Sequence, residues 1–299
     1  MTNLVLTDRD VEILKMVSRV GFLTEKQICT LFYSKHKGFE LDMTRARGSL
    51  SKRIYQLVAK DLLAKSTIPE SGTINRVAYL LGRAGAQVLK DNREIESRNN
   101  NNWLSKKSND ILIRSRHDLI ATNFLVNLIM LSRRLPEFNL VDWLPDRDCR
   151  FYIPGDKKRV SNPDLYLSTW DGGSSTSTLF IEVDRGTLDR KSLRVKIRRS
   201  FEYYVSRKYQ SDLGETRFPR LCFLAPENER LQMIMQAIRD AKVFFSTPAA
   251  KDVMGMPFWL TTFDEADVHS IDRGFISHNP LEDRWTNELG EQAGSPLLP

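Results

Sequence analysis

The sequence predicts a protein of mixed α and β structure with two domains, a helical N-terminal domain that ends in a β-hairpin and a C-terminal α/β sandwich. The chain has 299 residues, about the length of two ordinary domains. Within residues 1–92, amphipathic helical segments are followed by two short strands. From residue 110 onward, helical segments precede and follow a predicted hairpin, an order typical of a mixed sheet covered by helices.

Capping signals mark the first two helices. Thr7 precedes a helical pattern with Asp10 three residues later, and Thr24 with Gln27 repeats that arrangement. A third helix is predicted over residues 42–59. Its buried stripe consists of apolar residues at helical spacing, namely Ala46, Leu50, Ile54 and Leu57.

Strands over residues 62–68 and 76–81 follow, joined by a turn over residues 69–72. Short helices followed by a hairpin are the plan of a winged helix-turn-helix domain, in which the third helix enters the major groove of DNA. The candidate DNA contacts are the polar and basic residues of the predicted third helix, Arg45, Ser49, Lys52, Arg53 and Gln56. The same side chains would also fit the solvated side of an ordinary helix.

The charge distribution agrees with double-stranded DNA as the partner of the N-terminal domain. Residues 1–90 carry 15 Lys or Arg against 8 Asp or Glu, and the whole chain has a net charge of +7. A basic domain is the electrostatic footprint of a nucleic-acid binder. The acidic segment 264–299 is predicted to be a loosely ordered tail, and the polar segment 93–109 is predicted to be a linker.

The sequence gives no sign of export or membrane insertion. It contains no apolar run of about 18 residues, and its first residues lack the pattern of a signal peptide. Cys29, Cys149 and Cys222 are far apart and have no metal-binding spacing, which favours reduced thiols. We therefore expect a cytoplasmic protein.

In the C-terminal domain, assigned to residues 110–263, the predicted hairpin brings two acidic residues together. Strands over 165–170 and 178–183 flank a turn rich in Gly and Ser. Asp164 stands at the start of the first strand, and Glu182 stands at the end of the second. Because paired antiparallel strands run in opposite directions, we expect both carboxylates near one end of the sheet.

A long basic helix follows the hairpin. Residues 189–209 carry eight Lys or Arg, and Arg194 and Arg198 are candidate contacts to a DNA backbone. These charges could also form only a solvated face. The domain is predicted to begin with a helix over 111–131 and short strands over 138–143 and 150–153. After the basic helix, a strand over 220–225, a helix over 227–241 and a strand over 258–262 are predicted.

Metal-dependent cleavage of a phosphodiester needs carboxylates to hold the cation and often a lysine to steer water or stabilise charge. The Pro-Asp pair that ends at Asp164, followed by the run from Glu182 to Asp184, resembles the PD-(D/E)XK nucleases. The resemblance implies a restriction-endonuclease-like fold in which Asp164 and Glu182 hold Mg²⁺ or Mn²⁺, and Asp184 is a further candidate ligand. The sequence departs from the pattern because Asp184 stands where the lysine is expected. Branches of that superfamily carry the lysine on the following helix, where Lys196 is the candidate and Lys191 is the alternative.

Nearly the whole chain resembles the replication-relaxation family of plasmid and mobile-element proteins. The segments that carry this resemblance are 7–14, 21–28, 79–85, 117–119, 162–164 and 180–187. It implies a winged helix joined to a nuclease-like domain, similar to one class of mobilisation relaxases that nick a plasmid at its transfer origin without an HUH histidine cluster. The four histidines of this chain form no such cluster. His117, on the helix before the hairpin, and Tyr203, on the helical face of Lys196, are accessory candidates.

Each candidate also has a plainer structural interpretation. Asp164 could cap a turn, and Glu182 with Asp184 could form ion pairs with the basic helix. His117 could be an ordinary core or surface histidine.

Three functions therefore stay open. The chain could be a metal-dependent DNA nickase or relaxase, a DNA-binding replication or transcription regulator that kept the nuclease fold without its activity, or a defence endonuclease. Relaxosome or replication proteins are candidate partners. A homodimer also stays open, although the sequence has no heptad seam.

Overall fold

A computed structural model describes residues 4–33, 35–37, 40–42, 46–69, 75–92, 108–152, 159–170, 173, 176–244, 256, 258–264, 285–287, 289–293 and 295–297. The chain divides into two compact units, Met1–Val126 with Ser270–Ser277 and Asn127–His269 with His278–Pro299. Both units contain helices and strands, which confirms the predicted mixed α and β class.

Two helices of the first unit begin at the predicted capping boxes. In chain order the elements are α1 (Asp8–Val20), β1 (Phe22–Thr24), α2 (Glu25–Phe32), β2 (Lys35–Lys37), β3 (Glu40–Asp42), α3 (Ala46–Ala59), β4 (Leu63–Pro69), β5 (Asn75–Leu81), α4 (Arg83–Asp91) and α5 (Ser108–Ser132). The Thr7 amide donates to the Asp10 carboxylate at 2.7 Å, and the Thr7 hydroxyl accepts from the Asp10 amide. Thr24 and Gln27 make the equivalent exchange at the start of α2.

A three-stranded antiparallel sheet accompanies these helices, in the order β1-β5-β4. β4 and β5 form the predicted hairpin. α3 begins later than predicted, because residues 40–42 pair with residues 35–37 in a separate two-stranded ribbon. Leu50, Ile54 and Leu57 of α3 are buried, as their spacing predicts.

Two glycines allow the start of α4 to approach the turn between α3 and β4. A Cβ on Gly82 would lie 2.1 Å from the carbonyl oxygen of Asp61, and one on Gly85 would lie 2.2 Å from that of Leu62. The Gly82 amide donates to the Leu62 carbonyl at 3.0 Å. This close backbone contact leaves no room for a side chain, which explains why Gly82 and Gly85 are glycines.

α5 contributes to both units, so the division between them falls within this helix. In the first unit, Leu119 belongs to an apolar cluster that includes Ile68. The side-chain amide of Gln27 donates to Asn123 at 2.7 Å in buried surroundings. These contacts hold the first part of α5 to the first unit. Of the predicted linker, residues 93–107 lie outside the described residues.

The second unit is built on a seven-stranded mixed sheet in the order β14-β13-β12-β11-β10-β9-β6. After α5 the elements are β6 (Asn139–Pro145), β7 (Phe151–Tyr152), β8 (Arg159–Ser161), β9 (Leu165–Trp170), β10 (Thr176–Val183), α6 (Arg190–Ser206), α7 (Tyr209–Leu213), β11 (Arg220–Ala225), α8 (Asn228–Phe244), β12 (Phe258–Thr262), β13 (Trp285–Thr286) and β14 (Gln292–Ala293). β10, β11 and β12 are parallel, and the pairs on either side of them are antiparallel.

The helices α6 and α8 are crossovers between parallel strands, from β10 to β11 and from β11 to β12. Leu193, Ile197 and Phe201 form the buried stripe of α6 at helical spacing. They belong to one apolar cluster with Tyr166 of β9 and Phe180 of β10. This shared core fixes α6 over the central strands.

Part of the C-terminal segment is ordered, which corrects the loosely ordered tail predicted for residues 264–299. β13 and β14 extend the sheet beyond β12. Trp285 and Leu297 are buried, and the Thr169 hydroxyl donates to the Leu297 carbonyl at 2.6 Å. The acidic composition misled the prediction because a few buried apolar side chains and two short pairings are enough to order this stretch.

The three cysteines lie inside the protein. Cys29, Cys149 and Cys222 are buried, and none of them is in a disulfide. Burial raises the pKa of the Cys149 and Cys222 thiols, which therefore stay protonated. Within the described part of the chain, no helix has the length and apolar character needed to cross a membrane.

Arg53 joins α3 to the beginning of α1. Its Nε and Nη2 lie 3.0 and 2.5 Å from the two carboxylate oxygens of Asp10, and its Nη1 donates to Gln56 at 3.0 Å. Asp10 is 1% exposed. Burial alone would raise the pKa of Asp10, but Arg53 and the Thr7 hydrogen bonds outweigh burial and lower it. Arg53 and Gln56, two of the predicted DNA contacts, therefore take part in hydrogen bonds inside the first unit.

Replacing Arg53 with Met is expected to lower the free energy of unfolding by about 3 kcal/mol, because a buried carboxylate loses its partner. Since the pKa of Asp10 is lowered, the pair stabilises fully above the ordinary value of 3.8 and loses this effect as pH falls through the folded pKa. Urea denaturation at about pH 7 and about pH 3 measures both effects. Lys60→Met, at an exposed position of the same region, is the control. Equal losses in the two variants at neutral pH would contradict this role of Arg53.

Candidate functional site

The register between β9 and β10 sets Asp164 beside the end of β10. The ladder ends with Leu165 opposite Ile181. One residue further, the Asp164 amide donates to the Ile181 carbonyl at 2.9 Å, and the Asp164 carboxylate accepts from the Val183 amide at 2.7 Å. These two hydrogen bonds hold Asp164 beside Glu182, the residue between Ile181 and Val183.

Asp164 and Glu182 share the sheet face that α6 covers. Side chains alternate along a strand, so Asp164 lies on the face of Tyr166, and Glu182 lies on the face of Phe180. Both aromatic residues belong to the core cluster that contains the buried stripe of α6. The two carboxylates also stand at the carboxyl end of the parallel strands, the edge where open α/β sheets usually bind ligands.

Lys196 brings a positive charge to these carboxylates. Its Nζ lies 2.5 Å from Glu182 Oε2 and 3.9 Å from Asp164 Oδ2. The carboxylate residues are buried, with exposed fractions of 2% for Glu182 and 6% for Asp164. The Lys196 side chain is 31% exposed. The structure thus brings together Asp164, Glu182 and Lys196, which the sequence placed on three different elements.

The charges around Lys196 keep it protonated. Burial by itself would lower the pKa of Lys196, but the carboxylates of Glu182 and Asp164 outweigh burial and raise it. A lysine with a raised pKa cannot accept a proton from water at neutral pH. In this arrangement Lys196 can stabilise negative charge, and it is not poised to act as a general base.

Asp184 has different partners. One carboxylate oxygen accepts from Arg230 Nε and Nη2 at 2.9 and 2.7 Å, and the other accepts from the Gly186 amide at 2.7 Å. Arg230 Nη2 also donates to the Leu188 carbonyl at 2.8 Å. Both charged side chains are buried. This pair fastens the loop between β10 and α6 to α8. Gly186 has a φ of +76°, which suits glycine in this loop.

The carboxylates satisfy part of the chemistry predicted for a cation. Among the described residues, no group of three or more His, Cys, Asp or Glu side chains could hold a metal ion together. The predicted set of Asp164, Glu182 and Asp184 is therefore not assembled. Asp164 and Glu182 do converge on one positive group, and two carboxylates completed by water or phosphate oxygens are a usual environment for Mg²⁺. The pair fits a cation when the Lys196 ammonium is elsewhere.

Of the two accessory candidates, Tyr203 lies in the second unit but does not join the carboxylate pair. Tyr203 is fully buried and stacks on Phe151, with ring centroids 5.0 Å apart, and its hydroxyl donates to Asp212 at 3.2 Å. Tyr203 is thus a core residue, which corrects its predicted accessory role. His117 belongs to the first unit, where its Nδ1 lies 3.6 Å from Asp118.

Arg194 and Arg198 lie on the side of α6 away from the carboxylate pair. They line a pocket of about 180 Å³ with Lys191 and Asp240. Arg194 Nη1 lies 3.7 Å from Asp240, and Arg198 Nε lies 3.4 Å from Glu202. Lys196 is two residues from each arginine, which puts it on the opposite side of the helix. Their contact with DNA stays a prediction.

The exposed side of α3 differs from the predicted one. Ser49 and Lys52 are exposed, as expected, and Arg45 lies outside the described residues. Sequence reasoning missed Tyr55, which is 75% exposed. Its position was readable from the sequence, because Tyr55 falls outside the apolar stripe of α3. Arg230 was also missed, and no local signal marks it, since its partner is 46 residues away.

The comparison with protein families adds an independent observation. Residues 14–218, more than half of the chain, match the family described as replication-relaxation. The chain belongs to the replication-relaxation family. The predicted resemblance is therefore confirmed. No curated protein and no solved structure matches the chain.

Membership in the replication-relaxation family indicates a role in the replication or mobilisation of a plasmid or another mobile element, and with it an interaction with DNA. The matched residues include α3 of the first unit and, in the second unit, Asp164, Glu182 and Lys196.

Replacing Arg230 with Met is expected to lower the free energy of unfolding by about 3–5 kcal/mol, because Asp184 would remain buried without its partner. Arg190→Met is the matched control, since the Arg190 pair with Asp240 is 53% exposed on the arginine side. An exposed pair contributes at most about 1 kcal/mol. Chemical denaturation of both variants measures the difference. Similar losses of unfolding free energy in the two variants would show that the contribution of Arg230 to stability does not depend on the burial of its ion pair.

Proposed function

We propose that this protein is a DNA-binding nickase of a plasmid or mobile element, which cuts one strand of double-stranded DNA with the help of Mg²⁺ or Mn²⁺. The observation that carries the proposal is the convergence of Asp164, Glu182 and Lys196 at the carboxyl end of parallel strands. Carboxylates paired with a lysine in a buried corner are the groups that phosphodiester cleavage uses. Membership in the replication-relaxation family supports the same reading.

The proposal assigns a restriction-endonuclease-like fold to the second unit. The order of a hairpin, a crossover helix and a parallel strand supports it, because the two carboxylates stand on the hairpin and the lysine stands on the crossover helix. The lysine expected beside Glu182 is replaced in space by Lys196, and Asp184 has become part of the scaffold through Arg230.

The proposal assigns a winged helix-turn-helix to the first unit, with α3 as the helix that enters the major groove. The hairpin of β4 and β5 after α3 supports this assignment, and so does the basic charge of the N-terminal third of the chain. Ser49, Lys52 and Tyr55 would face the DNA, whereas Arg53 holds α3 against α1.

In the proposed reaction, Asp164 and Glu182 would hold the cation, and the hydrogen bond from the Val183 amide would keep Asp164 in place. When bound, Mg²⁺ or Mn²⁺ would supply stabilisation of phosphoryl charge and a more acidic water. Lys196, protonated and flexible, would contact a non-bridging phosphate oxygen and stabilise the charge that develops there. The attacking water must give up its proton to an acceptor other than the ammonium that contacts the phosphate.

A second candidate function is a DNA-binding replication or transcription regulator without cleavage. The observation that favours it is the pairing of Asp184 with Arg230, which takes the third predicted carboxylate out of the metal set. Unchanged DNA affinity in EDTA, with no cleavage of any DNA offered, would select this candidate. In either case we propose a cytoplasmic location, with a homodimer and relaxosome or replication proteins as assemblies to be tested.

Supercoiled DNA that carries the cognate origin is expected to become open-circular when the protein and Mg²⁺ are added. Asp164→Asn and Glu182→Gln are each expected to slow this conversion by at least about 100-fold, because each removes a ligand of the cation. Gel electrophoresis of timed samples measures the rate.

Glu202→Gln is the matched control for these carboxylates, since Glu202 is a half-exposed acid on α6 that pairs only locally with Arg198. It should nick at the rate of the unchanged protein. Nicking that survives Asp164→Asn and Glu182→Gln would exclude this site, and the absence of any open-circular product would exclude the nickase.

Tyr55→Ala is expected to weaken binding to an origin duplex about tenfold, which corresponds to 1.4 kcal/mol. The salt dependence of binding should stay unchanged in this variant, whereas Lys52→Ala should reduce its slope by about one. Fluorescence anisotropy at several salt concentrations measures both. Val243→Ala, at another exposed apolar side chain, is the control. Full affinity in Tyr55→Ala would remove Tyr55 from the DNA-binding surface.

A further inference from the structure

The Lys196 ammonium lies against Glu182 and close to Asp164, next to the position from which a cation would contact both carboxylates. It lies 2.5 Å from Glu182 Oε2 and 3.9 Å from Asp164 Oδ2. A divalent cation bound by the same two oxygens would need to lie about 2.0–2.6 Å from each of them. The ammonium and such a cation therefore compete for one place beside the same oxygens.

Two like charges cannot share this place at low cost. With Lys196 present, the three side chains carry a net charge of −1, so half of the negative charge that would attract a divalent cation is already neutralised. Adding the cation without moving the ammonium would put like charges within a few ångströms of each other, where they repel.

The Lys196 side chain has the properties needed to move away from the two carboxylates. Its ammonium is attached through a flexible four-carbon chain, and its attraction to the carboxylates is not directional. The Lys196 side chain is 31% exposed, whereas Arg230, in its buried ion pair with Asp184, is 7% exposed and is also held by a backbone carbonyl. Lys196 thus has a route to solvent, and to an anion there, that Arg230 lacks.

We propose that Lys196 is an exchangeable counter-ion that couples metal binding to DNA binding. Without DNA, Lys196 holds the two carboxylates and keeps divalent cations out. A DNA phosphate draws the ammonium away from Glu182, and the freed carboxylates then accept Mg²⁺ or Mn²⁺. This inference rests on the proposed nickase function and adds its regulation, because a cation would be held mainly when the substrate is present.

Coupling of this kind has a required thermodynamic form. If DNA tightens the binding of the cation by some factor, the cation must tighten the binding of DNA by the same factor. The apparent metal affinity of the free protein is lowered by the small fraction of molecules in which Lys196 has left. Removal of the ammonium should therefore raise metal affinity without DNA and abolish the effect of DNA on it.

The test measures Mn²⁺ binding to the full chain by electron paramagnetic resonance, with and without a duplex of about 20 base pairs, two helical turns. For the unchanged protein, the duplex is expected to tighten Mn²⁺ binding by roughly 5- to 100-fold, the usual range of coupling between two sites. Lys196→Met is expected to bind Mn²⁺ more tightly than the unchanged protein when DNA is absent, and to show no further gain when DNA is added.

Lys191→Met is the matched control. Lys191 is an exposed lysine on the same helix, one turn or more from Lys196, and it contacts neither carboxylate in the described structure. It should show the coupling of the unchanged protein. Because Lys196→Met could unfold through repulsion of the buried carboxylates, the comparison of the unchanged protein with and without DNA stands by itself as a test.

The outcomes separate this inference from the proposed function. Mn²⁺ affinity that is equal with and without DNA, in a protein that still nicks, would overturn the exchange of Lys196 and leave the nickase standing. Absence of Mn²⁺ binding under every condition, including the protein–DNA complex, would overturn both. Coupling that persists unchanged in Lys196→Met would assign the effect to another group and overturn the role of Lys196.

Discussion

Two neighbouring buried carboxylates in the second unit need a positive charge close to them. The structure around them depends on this requirement. Asp164 and Glu182 are brought together by the pairing of β9 with β10, and the Val183 amide holds Asp164 there. Such a pair repels itself unless a cation lies close. α6 supplies that cation through Lys196, and the apolar stripe of α6 fixes the helix at the correct height above the sheet. The register of one hairpin and the packing of one helix thus determine the site together.

The charged residues of this protein divide by the depth at which they are paired. Arg53 and Arg230 each meet a buried aspartate and stabilise the fold, whereas Arg190 and Arg194 share Asp240 near the surface. Lys196 lies between these classes, with its charge against buried carboxylates and its side chain partly exposed. Because of this intermediate position, the ion pair of Lys196 can rearrange, whereas the fully buried pairs are structural.

The sequence predicted those features that depend on local patterns. Capping boxes at Thr7 and Thr24 mark the helix starts, and alternation around a Gly-rich turn marks the hairpin that carries Asp164 and Glu182. These signals are local because they reflect hydrogen bonds and periodicity within a few residues. Lys196 was found only through a family resemblance, since nothing in the spacing alone joins it to the hairpin.

The features that were not predicted depend on contacts between distant parts of the chain. Asp184 has the same residue type as a metal ligand, and only the three-dimensional position of Arg230 shows that its carboxylate is paired. Arg53 and Lys52 are adjacent basic residues. The Arg53 side chain turns inward because it bonds to Asp10, whereas the Lys52 side chain is exposed. Helical periodicity assigns positions to faces, but it does not reveal what covers each face.

The short strands near the C-terminus have a consequence for how copies of this protein meet. β12 would be an edge strand of the central sheet if β13 did not pair with it at Leu260 and Thr286. An open edge with free backbone amides and carbonyls is a template for strand pairing between molecules. The segment 264–299 carries 8 acidic and 2 basic residues. Shortening the chain to remove an apparently dispensable acidic tail would thus uncover β12 and favour edge-to-edge aggregation.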